Sequence, residues 1–173
     1  VLSDFNSFLN QNKLMLEKFS ILIGKWKGKG TACFPTIETT DYIEELDFEL
    51  TGDGESIMFI QRTWHFDKAG KDKKGNVLHF ESGFIIACPD GSLELLNAQN
   101  SKRVVVMKST EIVFRENKLQ LSFASKYFGN DERMIRTSRE FFIDKESLQY
   151  VMKMETQNTP EFQKHLEANL IRI

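Results

Sequence analysis

The sequence predicts an all-β protein: an antiparallel up-and-down β-barrel of about ten strands, preceded by a short N-terminal helix. Three observations lead to this fold class. After Gly24 the apolar residues recur with a period of about two. Turn-forming segments separate these alternating stretches at nearly every junction. No second helical stretch is available to connect parallel strands, and a meander of short strands removes its exposed edges by closing into a barrel.

The first predicted element is a helical segment over residues 1–23. Its apolar residues recur at helical spacing, Ser3 and Asp4 are suited to cap its start, and Gly24 ends the pattern. We expect one helix, or two short ones, lying across an opening of the barrel. The apolar positions are Leu2, Phe5, Leu9, Leu14, Leu16, Phe19, Leu22 and Ile23.

Residues 24–173 are predicted to form the barrel. Alternating stretches include YIEELDFEL, SIMFIQRTWHF, LHFESGFIIAC, SLELLNAQN, KRVVVMKST, KLQLSFAS and SLQYVMKMET, with QKHLEANLIRI closing the series. The turn segments are TGDGE, KAGKDKKGN, CPDGS, RENK, YFGND and DKES. The lysine-rich segment at 68–76 is predicted to be a solvated hairpin loop, because Gly and Asp interrupt its charges. A barrel of this strand number leaves room inside for one ligand.

Composition narrows the function classes. The 173 residues are enough for one domain with a full core, and 15 of them are Phe, which suggests an aromatic core or cavity. A net charge of −2 gives no field that would attract nucleic acid or an anionic membrane. No apolar run reaches the ~20 residues that span a bilayer, and the N-terminal stretch VLSDFNSFLN lacks the features of a signal peptide. We therefore expect a cytoplasmic protein.

Cys33 and Cys88 are far apart in sequence and do not form a CxxC pair, so the sequence supports no thiolate metal site. Two buried free thiols are the favoured interpretation, with a single disulfide as the alternative.

The stretch GKWKGKG, residues 24–30, is the first motif with functional content. Trp26 is suited to plug one end of a barrel, while Gly28 and Gly30 let the strand bend sharply or approach a ligand. Gly-x-Trp at this place resembles the lipocalins and fatty-acid-binding proteins, which implies a ligand-binding barrel without identifying the ligand.

A longer series of motifs resembles the nitrobindins, a family of haem-binding β-barrels. The series begins with Gly-x-Trp-x-Gly-x-Gly followed by FPTI at 34–37. In the family's order come RTW at 62–64, LHFESGF at 78–84, PDGSLEL at 89–95 with AQNS at 98–101, SREF at 138–141, and the final block VMKMETQNTPEFQKHLEANL. The resemblance covers most of the chain and implies a ferric haem b cofactor, nitric oxide binding and isomerisation of peroxynitrite to nitrate.

Carried over from that family, His165 is the proximal axial ligand of the haem iron. A neutral imidazole is a standard haem ligand, and a single one leaves the sixth coordination position open for a small molecule. Taken without the family motifs, His165 is better interpreted as a half-buried, hydrogen-bonded histidine on a terminal strand.

The resemblance implicates three further cofactor-binding residues. Thr36 matches a family position that contacts haem, although a β-branched residue at a strand start is equally expected on propensity. Arg133 matches a position that often carries Lys near the haem edge, where a cation pairs with a propionate; a solvated surface arginine is the alternative. His79 is expected on the opposite side of the pocket, and His65 is expected to be exposed.

The sequence contains no Ser–His–Asp order, no HExxH pair and no phosphate-binding glycine loop. The barrel shape and Gly-x-Trp alone favour the main alternative to a peroxynitrite isomerase, a non-enzymatic carrier of fatty acid or another small apolar molecule, in which His165 is structural. A purely structural interaction module is a third possibility.

Overall fold

A computed structural model describes residues 13, 15–35, 38–68 and 70–173, with the side chains of residues 70–72 excepted. The strands are β1 (Gly24–Ala32), β2 (Thr40–Leu50), β3 (Ser56–Asp67), β4 (Gly70–Ala87), β5 (Leu93–Gln99), β6 (Val104–Arg115), β7 (Lys118–Gly129), β8 (Met134–Ile143), β9 (Ser147–Thr156) and β10 (Thr159–Arg172). Each strand pairs antiparallel with the next, and β10 pairs with β1, so the sheet closes into a barrel. The predicted fold class is confirmed.

The lysine-rich segment at 68–76 differs from the prediction. The hairpin turn is confined to its start, and β4 begins at Gly70. Lys74 gives this part of β4 specific contacts, because its ammonium lies 3.8 Å from the Trp64 ring centroid and 2.7 Å from a Glu45 carboxylate oxygen. Lys74, predicted to lie in a solvated loop, therefore pairs with side chains of neighbouring strands on the outer face of the barrel.

The N-terminal segment closes one end of the barrel. Residues 13 and 15–17 are helical and turns follow to residue 22; the rest of the predicted helix lies outside the described residues. Leu16, Phe19 and Leu22 are buried in the core, and the indole N–H of Trp26 donates to the Leu22 carbonyl at 3.0 Å. Trp26 is fully buried, as expected of a plug.

The pleat of the strands sorts side chains between the barrel interior and the outside. Inward positions along β2 hold Tyr42, Glu44, Leu46 and Phe48, all buried. The half of the interior near Trp26 is apolar, whereas buried polar side chains collect toward the opposite end: Glu44, Gln61, Thr63, Glu81, Asn97, Thr137, Arg139 and His165. The polar half is therefore where a ligand could be held.

Gly30 makes room for one member of this polar half. A Cβ built at Gly30 would lie 2.3 Å from the Tyr42 ring, so only glycine lets that ring lie against β1. The sequence motif indicated a close approach at this glycine, and the approaching group is a tyrosine of the neighbouring strand.

No helix among the described residues is long and apolar enough to cross a bilayer. Cys33 and Cys88 are both free thiols, and each is half-buried rather than buried as expected.

Candidate functional site

His165 occupies a β-bulge in β10. Lys164 pairs with Lys153 of β9, and Leu166 pairs with the next residue, Met152, so that His165 is the extra residue between them. A bulge redirects the side chain of its extra residue, which is why His165 and its neighbour Leu166 both turn away from solvent. The His165 carbonyl accepts a hydrogen bond from the Cys33 backbone N–H at 2.8 Å, which ties the bulge to the end of β1.

The imidazole of His165 is buried, with 2 % of the residue exposed, and both ring nitrogens lack a hydrogen-bond partner among the described residues. Burial lowers its pKa below the ordinary value of 6.5 and so favours the neutral ring. Its nearest aromatic neighbour is Phe34, whose ring meets it edge-on at a centroid distance of 5.0 Å. A buried neutral imidazole with a free nitrogen is a competent metal ligand.

Two cavities adjoin this region, and Phe34 lines both of them. The small cavity, of about 140 Å³, is lined by His165 together with Arg103, Arg133 and Met154. The large cavity, of about 250 Å³, extends into the barrel and is lined by Ala32, Phe34, Thr40, Tyr42, Gln61, Thr63, His65, Leu78, His79, Glu81, Gln99, Arg139, Tyr150, Met152 and Leu166.

Two arginines stand at the small cavity, and one aspartate holds both. Asp131 accepts from Arg103 Nη2 at 2.6 Å and from Arg133 Nε at 2.9 Å. Arg103 is the more enclosed of the two, while the Arg133 side chain is 63 % exposed. The sequence identified Arg133 alone; Arg103, 30 positions earlier in the chain, reaches the same place because β6 begins beside the end of β7.

A hydrogen-bonded cluster forms the floor of the large cavity. The Tyr150 hydroxyl donates to Glu44 at 2.7 Å, and Gln61 Nε2 lies 2.8 Å from both the other Glu44 oxygen and the Tyr150 hydroxyl. Tyr42 joins through its hydroxyl, 3.1 Å from that of Tyr150. Burial raises the pKa of the Glu44 carboxyl to about 8, although the Tyr150 hydrogen bond and the charge of Arg139 oppose the rise. Glu44 is therefore a carboxylic acid at neutral pH.

A buried ion pair extends the cluster to the side of the cavity. Arg139 Nη1 donates to a Glu81 oxygen, and the other Glu81 oxygen lies 3.2 Å from His79 Nε2. Burial raises the pKa of Glu81, but Arg139 and His79 lower it more, and the net result lies far below its ordinary value. Glu81 and Arg139 are thus both charged, whereas Glu44, near the same cavity, is not.

The structure brings the sequence-identified residues together only in part. His165 and Arg133 line the small cavity and His79 lines the large one. Thr36 lies outside the described residues. The expectation that His65 is exposed is wrong: it is half-buried and lines the large cavity, because β3 continues past Trp64 into the cavity wall.

Sequence reasoning missed the members of the polar floor and Phe34. A carboxylate on an otherwise apolar inward face was the available signal, since Glu44 alternates with Tyr42 and Leu46, and Glu81 with Gly83 and Ile85.

Comparison with known proteins gives a consistent result. The family model described as "THAP4-like, heme-binding beta-barrel domain" matches residues 15–172. A protein of Arabidopsis thaliana named "Peroxynitrite isomerase Rv2717c" is 34% identical over 154 residues, which are 89% of this chain and 86% of that protein. "Peroxynitrite isomerase 1" of Mycobacterium tuberculosis strain H37Rv is 29% identical over 163 residues, 91% of this chain and 94% of the relative.

A solved structure, that of Rv2717c from M. tuberculosis, superposes with a TM-score of 0.81 at 26% identity. The match covers 92% of this chain and 97% of the other. The two chains therefore share the fold over nearly their full lengths.

Proposed function

This chain belongs to the family of THAP4-like, heme-binding beta-barrel domains, and from that premise we propose that it holds haem b with His165 as the axial ligand of a ferric iron. The family membership also confirms the resemblance to the nitrobindins. We further propose that the protein binds nitric oxide and isomerises peroxynitrite to nitrate. The second part is supported by the names of the relatives, which are called peroxynitrite isomerases.

One observation carries the proposal of an iron ligand: a buried imidazole whose two ring nitrogens have no partner among the described residues. Leaving a buried donor or acceptor unsatisfied costs about 1–3 kcal/mol. Coordination would satisfy one nitrogen, and the residue types around the ring fit the group, because Phe34, Met154 and Leu166 offer apolar contact to a macrocycle. Arg103 and Arg133 are the cations available to pair with its propionates.

The chain's own residues supply position and environment. The bulge fixes the imidazole on β10, and burial keeps it neutral and ready to bind a metal. Bound ferric haem would supply a Lewis-acidic iron with one open position for a small nitrogen oxide. The large cavity lies beside this site, and His79 on its wall, which already hydrogen-bonds Glu81, is the side chain we assign to hydrogen-bond a polar ligand.

Absorbance spectroscopy tests the proposal. Haem added to the full chain should give a strong Soret band that shifts on addition of nitric oxide. His165→Ala should abolish the band or weaken haem binding at least about a hundredfold, because the axial bond is lost. His65→Ala is the matched control, since His65 lines the large cavity and has no part in the proposed ligation.

Isomerase activity needs a separate measurement. Stopped-flow decay of peroxynitrite, with nitrate and nitrite quantified afterwards, should show faster decay and a higher nitrate yield only with the haem-loaded wild-type chain. A haem-loaded chain that leaves both the decay rate and the nitrate yield unchanged would remove the catalytic part of the proposal.

The second candidate is a carrier of a small apolar molecule. It is favoured by the large cavity, whose wall includes Ala32, Leu78 and Leu166. A carrier would give no Soret band with haem, and its ligand binding would be indifferent to His165→Ala.

A further inference from the structure

Arg139 presents one edge that no oxygen acceptor among the described residues occupies. Its Nη1 donates to Glu81 and lies 3.4 Å from the Gln61 side-chain oxygen. Among the residues that the structure describes, the hydrogen-bond acceptor of Nη2 is the sulfur of Met152, at 3.6 Å, and Nε has no hydrogen-bond partner. Nε and Nη2 form one side of the guanidinium fork, with two parallel N–H groups spaced to match two oxygens of a planar anion.

This open edge is buried. Arg139 is only 5 % exposed and lines the large cavity. Buried charged donors in native proteins are almost always hydrogen-bonded, and each exception calls for an explanation such as a missing ligand. A thioether is a weak acceptor and does not replace an oxygen. Among the described residues the edge therefore lacks an oxygen acceptor, which a ligand could supply.

Few negative charges surround the edge. Glu81 balances the positive charge of Arg139, and Glu44 is neutral near pH 7 because burial raises its pKa to about 8. The other polar groups at the cavity floor, the hydroxyls of Tyr42 and Tyr150, carry no charge at that pH. No second carboxylate among the described residues that line the cavity opposes an incoming anion.

Met152 covers the open edge and can move. It belongs to a cluster of three buried methionines, with Met134 and Met154, packed against Phe34 and Leu166. Methionine is unbranched, adapts its shape at low energetic cost and fills space that a better partner can take. Met152 also lines the large cavity, so a displaced side chain would have open volume beside it.

We propose that the Nε–Nη2 edge of Arg139 is a binding site for a planar oxyanion, either nitrate or the carboxylate of an acyl chain, and that the anion displaces the sulfur of Met152. The choice of nitrate rests on the proposed function, whose product it would be. The carboxylate belongs to the carrier alternative. Both ions offer two oxygens in one plane to the same pair of N–H groups.

Side-chain NMR of the full chain, without added haem, tests the site directly. The ¹H–¹⁵N signal of the Arg139 Nε–H group is assigned by its loss in Arg139→Lys and then followed during titration with sodium nitrate, sodium octanoate or sodium chloride at constant ionic strength. A saturable shift with nitrate or octanoate but not with chloride is expected. Nitrate alone identifies a nitrogen oxyanion site, and octanoate alone identifies a carboxylate site.

Two variants separate the site from a general charge effect. Arg139→Lys keeps the positive charge beside Glu81 but has no fork, and should weaken oxyanion binding at least about tenfold, read from the ring signals of His79. Met152→Ala should tighten binding several-fold because the edge is uncovered. Met154→Ala is the matched control, since it removes a methionine of the same cluster that lines only the small cavity.

Three results would overturn the site: no saturable shift with either oxyanion in wild type and Met152→Ala, an equal shift with chloride, or undiminished binding by Arg139→Lys. The outcome is independent of the haem experiment. If the chain binds nitrate at Arg139 but gives no Soret band with haem, the oxyanion site stands and the proposed function fails. If the chain gives a Soret band but binds neither oxyanion at Arg139, the proposed function stands and the oxyanion site fails.

Discussion

The ring of Phe34 meets the ring of His165 edge-on, with their centroids 5.0 Å apart, and Phe34 lines both the small and the large cavity. The contact packs the imidazole against a residue of the loop after β1, and we expect it to limit the orientations of the imidazole. An aromatic pair of this kind contributes about 0.5–1.5 kcal/mol beyond its buried area.

Phe34→Ala should therefore weaken haem binding about threefold to tenfold, measured by titrating haem against the Soret band. The chain should remain folded, because Phe34 lies outside the main apolar core. Phe142→Ala, which removes a 41 % exposed ring from the outer face, is the control and should bind haem like wild type. Equal affinities for all three chains would mean that Phe34 does not position the histidine.

Gly83 is expected to be intolerant of any side chain. A Cβ there would lie 1.7 Å from the backbone oxygen of Leu96 in the paired strand, so β4 and β5 would have to separate. We expect Gly83→Ala to lower the free energy of unfolding by about 2–3 kcal/mol in urea titrations. Gly52→Ala places the same methyl group in open space in a turn and should change it by no more than about 0.5 kcal/mol.

Glu44 should make the stability of the haem-free chain fall as pH rises. Its folded pKa of about 8 exceeds the ordinary value of 4.5, so between these values the folded chain holds a proton that the unfolded chain has released. Each pH unit in this window then costs up to about 1.4 kcal/mol, and below pH 4.5 the contribution is fully retained.

Glu44→Gln mimics the protonated acid and removes this titration. The free energy of unfolding of the variant minus that of wild type should be a few kcal/mol larger at pH 8.5 than at pH 5. Urea titrations of both chains at pH 5, 7 and 8.5 measure the difference. A stability difference that stays constant across this series would show that Glu44 is ionised in the folded chain throughout.

The Arg139–Glu81 pair predicts a large effect from a single charge. Glu81→Gln leaves a buried guanidinium without its counter-charge and should cost about 3–5 kcal/mol of stability. Glu140→Gln breaks a partly exposed pair with Lys153 at 3.5 Å and should cost no more than about 1 kcal/mol. Similar small losses in both variants would indicate that water reaches Arg139.

The barrel could be predicted from the sequence because its signals are local. Alternation and turn residues fix each strand and hairpin, and β1 to β10 follow in that order around the barrel. The prediction of a solvated loop at 68–76 failed because Lys74 contacts Trp64 and Glu45. These residues come near Lys74 only when the strands pair.

Only those site residues that resemble a family motif could be predicted from the sequence. His165 could be identified from its sequence block, but the bulge that turns it inward depends on its register with Lys153 and Met152. Arg139 stands in the block SREF and reads as an ordinary strand residue. Its partners Glu81 and Gln61 lie 58 and 78 positions away, and no spacing rule connects them.

The pairing of β10 with β1 also sets an order of events during biosynthesis. A ribosome delivers β10 after the nine other strands, and the Cys33–His165 backbone hydrogen bond forms only when these two strands meet. Any group that binds His165 in its native position is thus captured only after all ten strands of the barrel have been synthesised.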